Sequence, residues 1–205
     1  MTNDHVAGNP SVVAIEAVPD NFRALEENIS MNGAWNRMQA LCTGLGECSE
    51  TVDIQVEGDL KAGEGSGTAN IIAKESSHAC VRQKLQIEML DVLAEQGKVP
   101  AGCSVIKIDT DGYDLNIMRG AKKFLSENRP VVFGEFSAVC MQWHGQTFRD
   151  LLVFADEAGY LVWKKGGKKS WTFTPATVAD SPKKDLLLIP IEKENLFRWC
   201  LGEAR

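Results

Sequence analysis

Ser104-Val105-Ile106-Lys107-Ile108-Asp109-Thr110-Asp111-Gly112 reads as a strand that delivers two acids and a glycine at its carboxyl end. Downstream, Leu115, Met118, Ala121, Lys122 and Leu125 fall at the spacing of one amphipathic helix, with the Lys122 stem at its edge. Pro130 stops that helix, and Val131–Phe136 is the next strand, ending in Glu135. Strand, helix and strand in this order make a parallel crossover unit.

The same pattern recurs upstream. Ser11–Ala17 (SVVAIEA) is an apolar run ending in Glu16, and Pro19-Asp20-Asn21 supplies a turn and a helix start, with Asp20 as the expected N-cap. Phe22, Leu25 and Ile29 share one helical face, and Asn32-Gly33 closes the helix. Met38–Thr43 is a second strand leading into Gly44, and Thr51–Val56 alternates as a half-exposed strand does. Gly58–Gly67 is glycine-rich and reads as a loop; it lacks the Lys-Ser/Thr ending of a P-loop. Val81–Ile87 predicts a strand and Met89–Gln96 a short helix. Towards the end, Phe148–Ala158 predicts a helix closed by Gly159, Tyr160–Trp163 and Asp185–Ile189 an antiparallel pair at the sheet edge, and Glu192–Leu201 a last helix. The predicted fold is therefore α/β, a mostly parallel sheet with an antiparallel edge strand, in one domain over residues 1–205 with a loose polar lead-in at 1–10.

Composition narrows the function classes. A chain of 205 residues with 44% hydrophobic and 24% charged residues suits one globular domain. The net charge of -6 argues against a nucleic-acid backbone as partner, since no basic surplus exists to displace counterions. The cluster Lys164, Lys165, Lys168 and Lys169 reads as a solvated turn with a basic rim. No apolar run reaches the ~20 residues of a membrane span, and no signal-peptide centre is visible, so a cytoplasmic location is expected. Cys42, Cys48, Cys80, Cys103, Cys140 and Cys200 are scattered without metal-ligand spacing and read as reduced thiols, with no metal site.

In an open α/β sheet, ligands bind beyond the carboxyl ends of the strands. That rule selects Glu16, Thr43 and Gly44, then Asp109, Asp111 and Glu135, as residues aimed at one sheet edge. A carboxylate at such a strand end can accept hydrogen bonds from the vicinal hydroxyls of a ribose. The Asp109-Thr110-Asp111-Gly112 patch is compatible with a cofactor cation, a metal ion or a general base, because buried carboxylates need a partner. It also fits a helix start, with Asp111 and Asp114 at the positive end of the helix dipole. Asp-x-Asp after an apolar strand further describes the metal-binding motif of many nucleotide-sugar glycosyltransferases. His5 and His78 lie in polar stretches, whereas His144 follows Glu135 closely enough to reach the same edge.

Several blocks together resemble a known family. Val13-Ala14-Ile15-Glu16-Ala17-Val18-Pro19-Asp20-Asn21-Phe22, with Leu25, Asn28 and Asn32-Gly33, is similar to the second-strand region of FkbM-type methyltransferases. Val105 to Asp114, followed by Met118-Arg119-Gly120-Ala121, resembles the family's I-K-I-D-x-E-G-x-E and L-x-G-A, and Arg129-Pro130 through Glu135 its R-P-x-x-x-x-E strand. Leu90-Asp91 matches the L-D pair ahead of the strand at Val105. The resemblance implies a Rossmann-like three-layer fold and S-adenosylmethionine as cofactor. It further implies O-methylation of a hydroxyl on a small-molecule or glycan acceptor such as a sugar or secondary metabolite. It implies Glu16 at the ribose hydroxyls, Thr43 and Gly44 near the adenine, and Asp109 and Gly112 near the methionine portion or the transfer site. Asp109 or Asp111 is then the expected base, with His144 third. Asp111 and Asp114 stand where the family has Glu, one methylene shorter.

The family's first strand carries D-x-G-A-N-x-G, and nothing upstream of Val12 resembles it; His5–Asn9 contains Ala-Gly-Asn without a preceding strand. The expectation is a domain without that first strand. The alternatives that follow are an inactive methyltransferase-like fragment serving as an interaction module and, separately, the metal-dependent glycosyltransferase. Neither the acceptor nor the oligomeric state is legible.

Overall fold

The computed structural model describes residues 11–57, 69–71, 80–166, 172–180 and 183–201. The lead-in at 1–10 and the glycine-rich stretch Gly58–Gly67 lie outside the described residues. The chain divides into two compact units, Met1–Pro100 and Ala101–Arg205.

The first unit opens with a β-α-β crossover. Strand β1 (Val12–Glu16) leads into helix α1 (Pro19–Met31) and returns as strand β2 (Met38–Cys42), parallel to β1 with Val12 opposite Met38 and Glu16 opposite Cys42. The expected apolar face of α1 is used: Phe22, Leu25 and Ile29 pack with Ala34, Trp35, Met38 and Ala40. The N-cap differs from the expectation. The cap is Val18, with no side-chain bond, and Asp20 lies inside the first turn, where it pairs with Arg23. Pro19 explains the shift, since its fixed φ suits the first helical position and starts the helix before Asp20. The C-terminus is as read: the Gly33 N–H donates to Ser30 O, and Gly33 adopts φ +57°.

The rest of this unit is a four-stranded sheet. Strands β3 (Gly44–Leu45), β4 (Glu50–Glu57), β5 (Ala69–Ile71) and β6 (Cys80–Glu88) lie in the order β3-β6-β4-β5. The two predicted strands, β4 and β6, pair antiparallel along their full length. Alternation places Ile54 and Leu85 inward against Val18, Ala17 and Val52, while Thr51, Asp53, Lys84 and Gln86 face outward. Helix α2 (Leu90–Glu95) follows and buries Leu90 and Leu93.

The second unit is a five-stranded sheet with helical crossovers. Strand β7 (Val105–Ile108), helices α3 (Asp114–Arg119) and α4 (Lys122–Asn128) and strand β8 (Val131–Ser137) form the predicted crossover, with Val105 opposite Val131 and Ile108 opposite Gly134 in parallel. One helix was the expectation for residues 115–125. Two form instead, because the backbone leaves the helical path at Gly120 and Ala121, and Ala121 (φ −118°) caps the second helix. The apolar stripe is kept across the break: Leu115, Met118, Ala121 and Leu125 are all buried. Helices α5 (Ala138–Trp143) and α6 (Phe148–Glu157) then lead to strands β9 (Tyr160–Lys165), β10 (Phe173–Pro175) and β11 (Lys183–Pro190).

The strand order is β10-β9-β11-β8-β7. β11 runs antiparallel between β8 and β9, and β10 is the antiparallel strand at the edge. The antiparallel pairing of β9 with β11 is therefore as expected, but β11 is interior. The α/β class and the parallel crossovers hold. Among the described residues the strands form sheets of two, four and five strands. The predicted last helix is a 3-10 helix, Ile191–Phe197. Lys164 and Lys165 do not rim a solvated turn; both lie on β9 and pair with Asp180 and Asp185. Lys168 and Lys169 lie outside the described residues.

Arg129 holds this unit together at the end of α4. It adopts φ +49°, and its guanidinium donates to the carbonyls of Ala158 and Gly159 at 2.7 Å each, closing the C-terminus of α6. The same group binds Glu192 through both carboxylate oxygens and stacks over the Tyr160 ring at 4.7 Å. The Arg-Pro pair that the sequence offers as a family marker is structural.

Candidate functional site

In the first unit the structure brings Glu16, Thr43 and Gly44 together at the carboxyl end of the β1–β2 pair. Glu16 is the last residue of β1, and the Thr43 N–H donates to its carbonyl at 3.1 Å. One carboxylate oxygen of Glu16 accepts from the Val18 N–H at 2.8 Å, so the acid braces the turn into α1. The side chain is half-buried and keeps its second oxygen for another donor. Its negative charge is felt by Cys42, whose thiol is pushed up by burial first and by Glu16 next. Thr43 donates its hydroxyl towards Gln86 O and Gly44 O. Gly44 runs beside β6, where a Cβ would come within 3.2 Å of Ile87 Cγ1 and 3.6 Å of Ala17 Cβ. Gly44 is thus packed against β6 and Ala17, next to the turn that Glu16 braces.

In the second unit the turn after β7 carries Asp109, Thr110, Asp111 and Gly112. Asp109 is exposed and paired with Lys107 at 2.6 Å. Asp111 is exposed and held at φ +48°, one of two non-glycine residues with positive φ among the described residues. Gly112 is buried at φ +100°, and a Cβ there would lie 2.5 Å from the Cys140 carbonyl carbon and Cβ. Only glycine lets this turn approach α5. His144 caps the C-terminus of α5, is half-buried, and meets the Tyr113 ring edge-on at 5.1 Å. Burial lowers its pKa, favouring the neutral imidazole, which can take a proton. The turn, Tyr113 and His144 are thus neighbours. Glu135 is exposed on β8 opposite Asp185, and β8 runs on to Ser137, so this acid lies inside its strand and not at the end.

Sequence reading missed two features here. Helix α5 has six residues, and its Ser137 cap, accepting from the Cys140 N–H, lacks the acidic partner of a capping box. Asp114, read as a helix-dipole residue, is fully buried and bonded to the turn. The described cysteines Cys42, Cys48, Cys103, Cys140 and Cys200 are free thiols. Among the described residues, no helix is long and apolar enough to cross a membrane, and no three His, Cys, Asp or Glu side chains group as metal ligands would.

Comparison with known proteins gives one family. The model of the Methyltransferase FkbM domain matches residues 1–162. No curated protein matches the chain. A solved structure that does match is titled "Crystal structure of Methyltransferase FkbM from Methylobacillus flagellatus KT at 2.20 A resolution", with 17% identity and a TM-score of 0.47. The match covers 86% of this chain and 36% of that one, so the chain spans about a third of that protein's length.

Proposed function

The chain belongs to the FkbM methyltransferase family, and from that premise we propose that it uses S-adenosylmethionine to methylate a hydroxyl oxygen of a sugar or secondary-metabolite acceptor. The reading is carried by the position of its candidate residues: each of two parallel crossovers carries an acid at the carboxyl end of its first strand or just beyond, Glu16 on β1 and Asp109 after β7, and a close-packed glycine follows β2 (Gly44) and β7 (Gly112). Taken unit by unit, the residues present suit parts of the cofactor. Glu16 offers an acceptor oxygen of the kind ribose hydroxyls need. Thr43 and Gly44 offer a close backbone for a flat ring, and Asp109 a negative charge for a sulfonium. The backbone at Gly112 packs too tightly against α5 to bear a side chain.

Bound S-adenosylmethionine supplies an activated methyl group, so the protein's remaining work is positioning and proton removal. Asp109 and Asp111 present exposed carboxylates that can accept the acceptor's hydroxyl proton, and neutral His144 is the third candidate. Acids that hold a cation also hold it in the ground state, so they mainly bind rather than accelerate. We place the whole activity in one domain, in a cytoplasmic setting.

Titration calorimetry of the purified chain with S-adenosylhomocysteine tests this reading. Saturable binding is expected, weakened by about tenfold or more in Glu16→Ala, the loss of one charge-assisted hydrogen bond pair. A folded chain that takes up no S-adenosylhomocysteine would overturn the proposal.

A further inference from the structure

Asp114 has no part in that chemistry, yet it is among the most deeply buried polar side chains described. It is 0% exposed, at the first position of α3. A carboxylate there is costly unless its oxygens are bonded. One oxygen accepts from the Gly112 N–H at 3.1 Å, and the other lies 3.4 Å from the Thr110 N–H. The Thr110 hydroxyl bonds to it as well. These donors flank Asp111, whose backbone sits in the sparsely populated left-handed region at φ +48° and is followed by Gly112 at φ +100°. A non-glycine residue held there costs about 1 kcal/mol and persists only where its surroundings fix it. Two contacts do the fixing: Asp114 binds the amides on either side of Asp111, and the Cys140 backbone leaves no room for the turn to relax towards α5.

We propose that Asp114 is a positioning residue: by binding the Thr110 and Gly112 amides it holds the turn in the one conformation that presents the Asp109 and Asp111 carboxylates at the carboxyl end of β7. The role for those two acids rests on the proposed methyltransferase reading; the control of the turn by Asp114 does not. Asp114 touches no reacting atom. It acts on the acids through the main chain.

The test compares wild type, Asp114→Ala, Asp114→Asn and Leu125→Ala. Leu125 is buried in α4, makes no hydrogen bond to the turn through its side chain, and serves as a destabilised control. Amide hydrogen exchange, resolved by NMR without ligand, reads the turn; calorimetry with S-adenosylmethionine, whose sulfonium charge Asp109 would balance, reads the site. In Asp114→Ala, protection of the Thr110 and Gly112 amides is expected to fall by about tenfold or more beyond any global loss, with a comparable fall in affinity. Asp114→Asn keeps one acceptor oxygen and is expected to restore part of both, and it carries the test if the alanine variant does not fold. Leu125→Ala is expected to lose stability while keeping Gly112 protection relative to its global stability, and to keep affinity. Unchanged exchange at both amides in the Asp114 variants overturns the proposal, as does lost protection with affinity intact. If wild type takes up no S-adenosylmethionine, the cofactor reading falls alone, and the exchange data by themselves decide whether Asp114 sets the turn.

Discussion

At the end of β1 a single carboxylate faces the candidate site and braces its own turn, whereas at the end of β7 those tasks belong to different residues. Glu16 spends one oxygen on the Val18 amide and has one left. Asp109 and Asp111 spend nothing on the turn that carries them; the brace is Asp114, one helix start further on. The first arrangement is compact but couples binding to loop geometry. The second leaves two exposed acids on a backbone fixed from below, so their chemistry can change without moving the chain. Substitutions at Glu16 therefore mix two effects, while those at Asp109, Asp111 and Asp114 separate them.

The contrast can be broken most directly at Gly112. Gly112→Ala puts a Cβ 2.5 Å from the Cys140 backbone at φ +100°, and urea unfolding should show a loss of about 3 kcal/mol or more. A loss below about 1 kcal/mol would mean that the turn is not clamped between Asp114 and α5. Next in size is the paired comparison Asp114→Ala against Glu16→Ala. Removing the buried brace leaves main-chain donors without a partner and should cost about 2–3 kcal/mol, against about 1 kcal/mol or less at half-buried Glu16, whose freed amide can turn to water. Equal losses would erase the distinction between the two turns.

The smallest effect is in pH dependence, and its sign differs between buried and exposed acids. Burial, opposed by hydrogen bonds from the turn, raises the Asp114 pKa. A raised folded-state value means a contribution fully present below the ordinary carboxylate range and lost as pH rises through the folded value. Stability relative to Asp114→Asn should therefore shift towards wild type as the solution is acidified from neutrality. Glu192 behaves in the opposite way. Arg129 holds it down to about 2, so its contribution is present above its ordinary 4.5 and fades as pH falls towards about 2. Being half-exposed, it should add only about a few tenths of a kcal/mol. Thermal melts of Glu192→Gln across that acid range check it; a gain on acidification would reverse the assignment.

What could be read from sequence followed the strength of local signals. Val105–Ile108, Val131–Phe136 and the α1 stripe combine period, flanking turn residues and length, and all three formed as read. The break at Gly120 was hidden because Leu115, Met118, Ala121 and Leu125 keep helical spacing across it, and burial preserves the stripe while the backbone departs. Asp20 resembled a cap, but Pro19 fixed the start of the helix first. The last helix carries helical composition yet has no fully buried side chain over Ile191–Phe197; Phe197 packs only partly against the core, too little to hold an α-helical face, and the segment tightens to 3-10 geometry. Of the candidate site, the acids and glycines were legible because strand ends announce them. The service of Asp114 was not, because a hydrogen bond back into a turn leaves no periodic trace.

The place of β11 between β8 and β9 has a practical consequence for anyone dividing this chain. The family match ends at residue 162, inside β9, and invites an expression boundary there. A fragment cut at that point would lack the middle strand of five, leaving Leu186, Leu188 and Ile189, each 0% exposed, with no counterpart to fill their space. It would also discard Glu192, the ionic anchor of Arg129. The portion that similarity marks out is smaller than the portion that can fold.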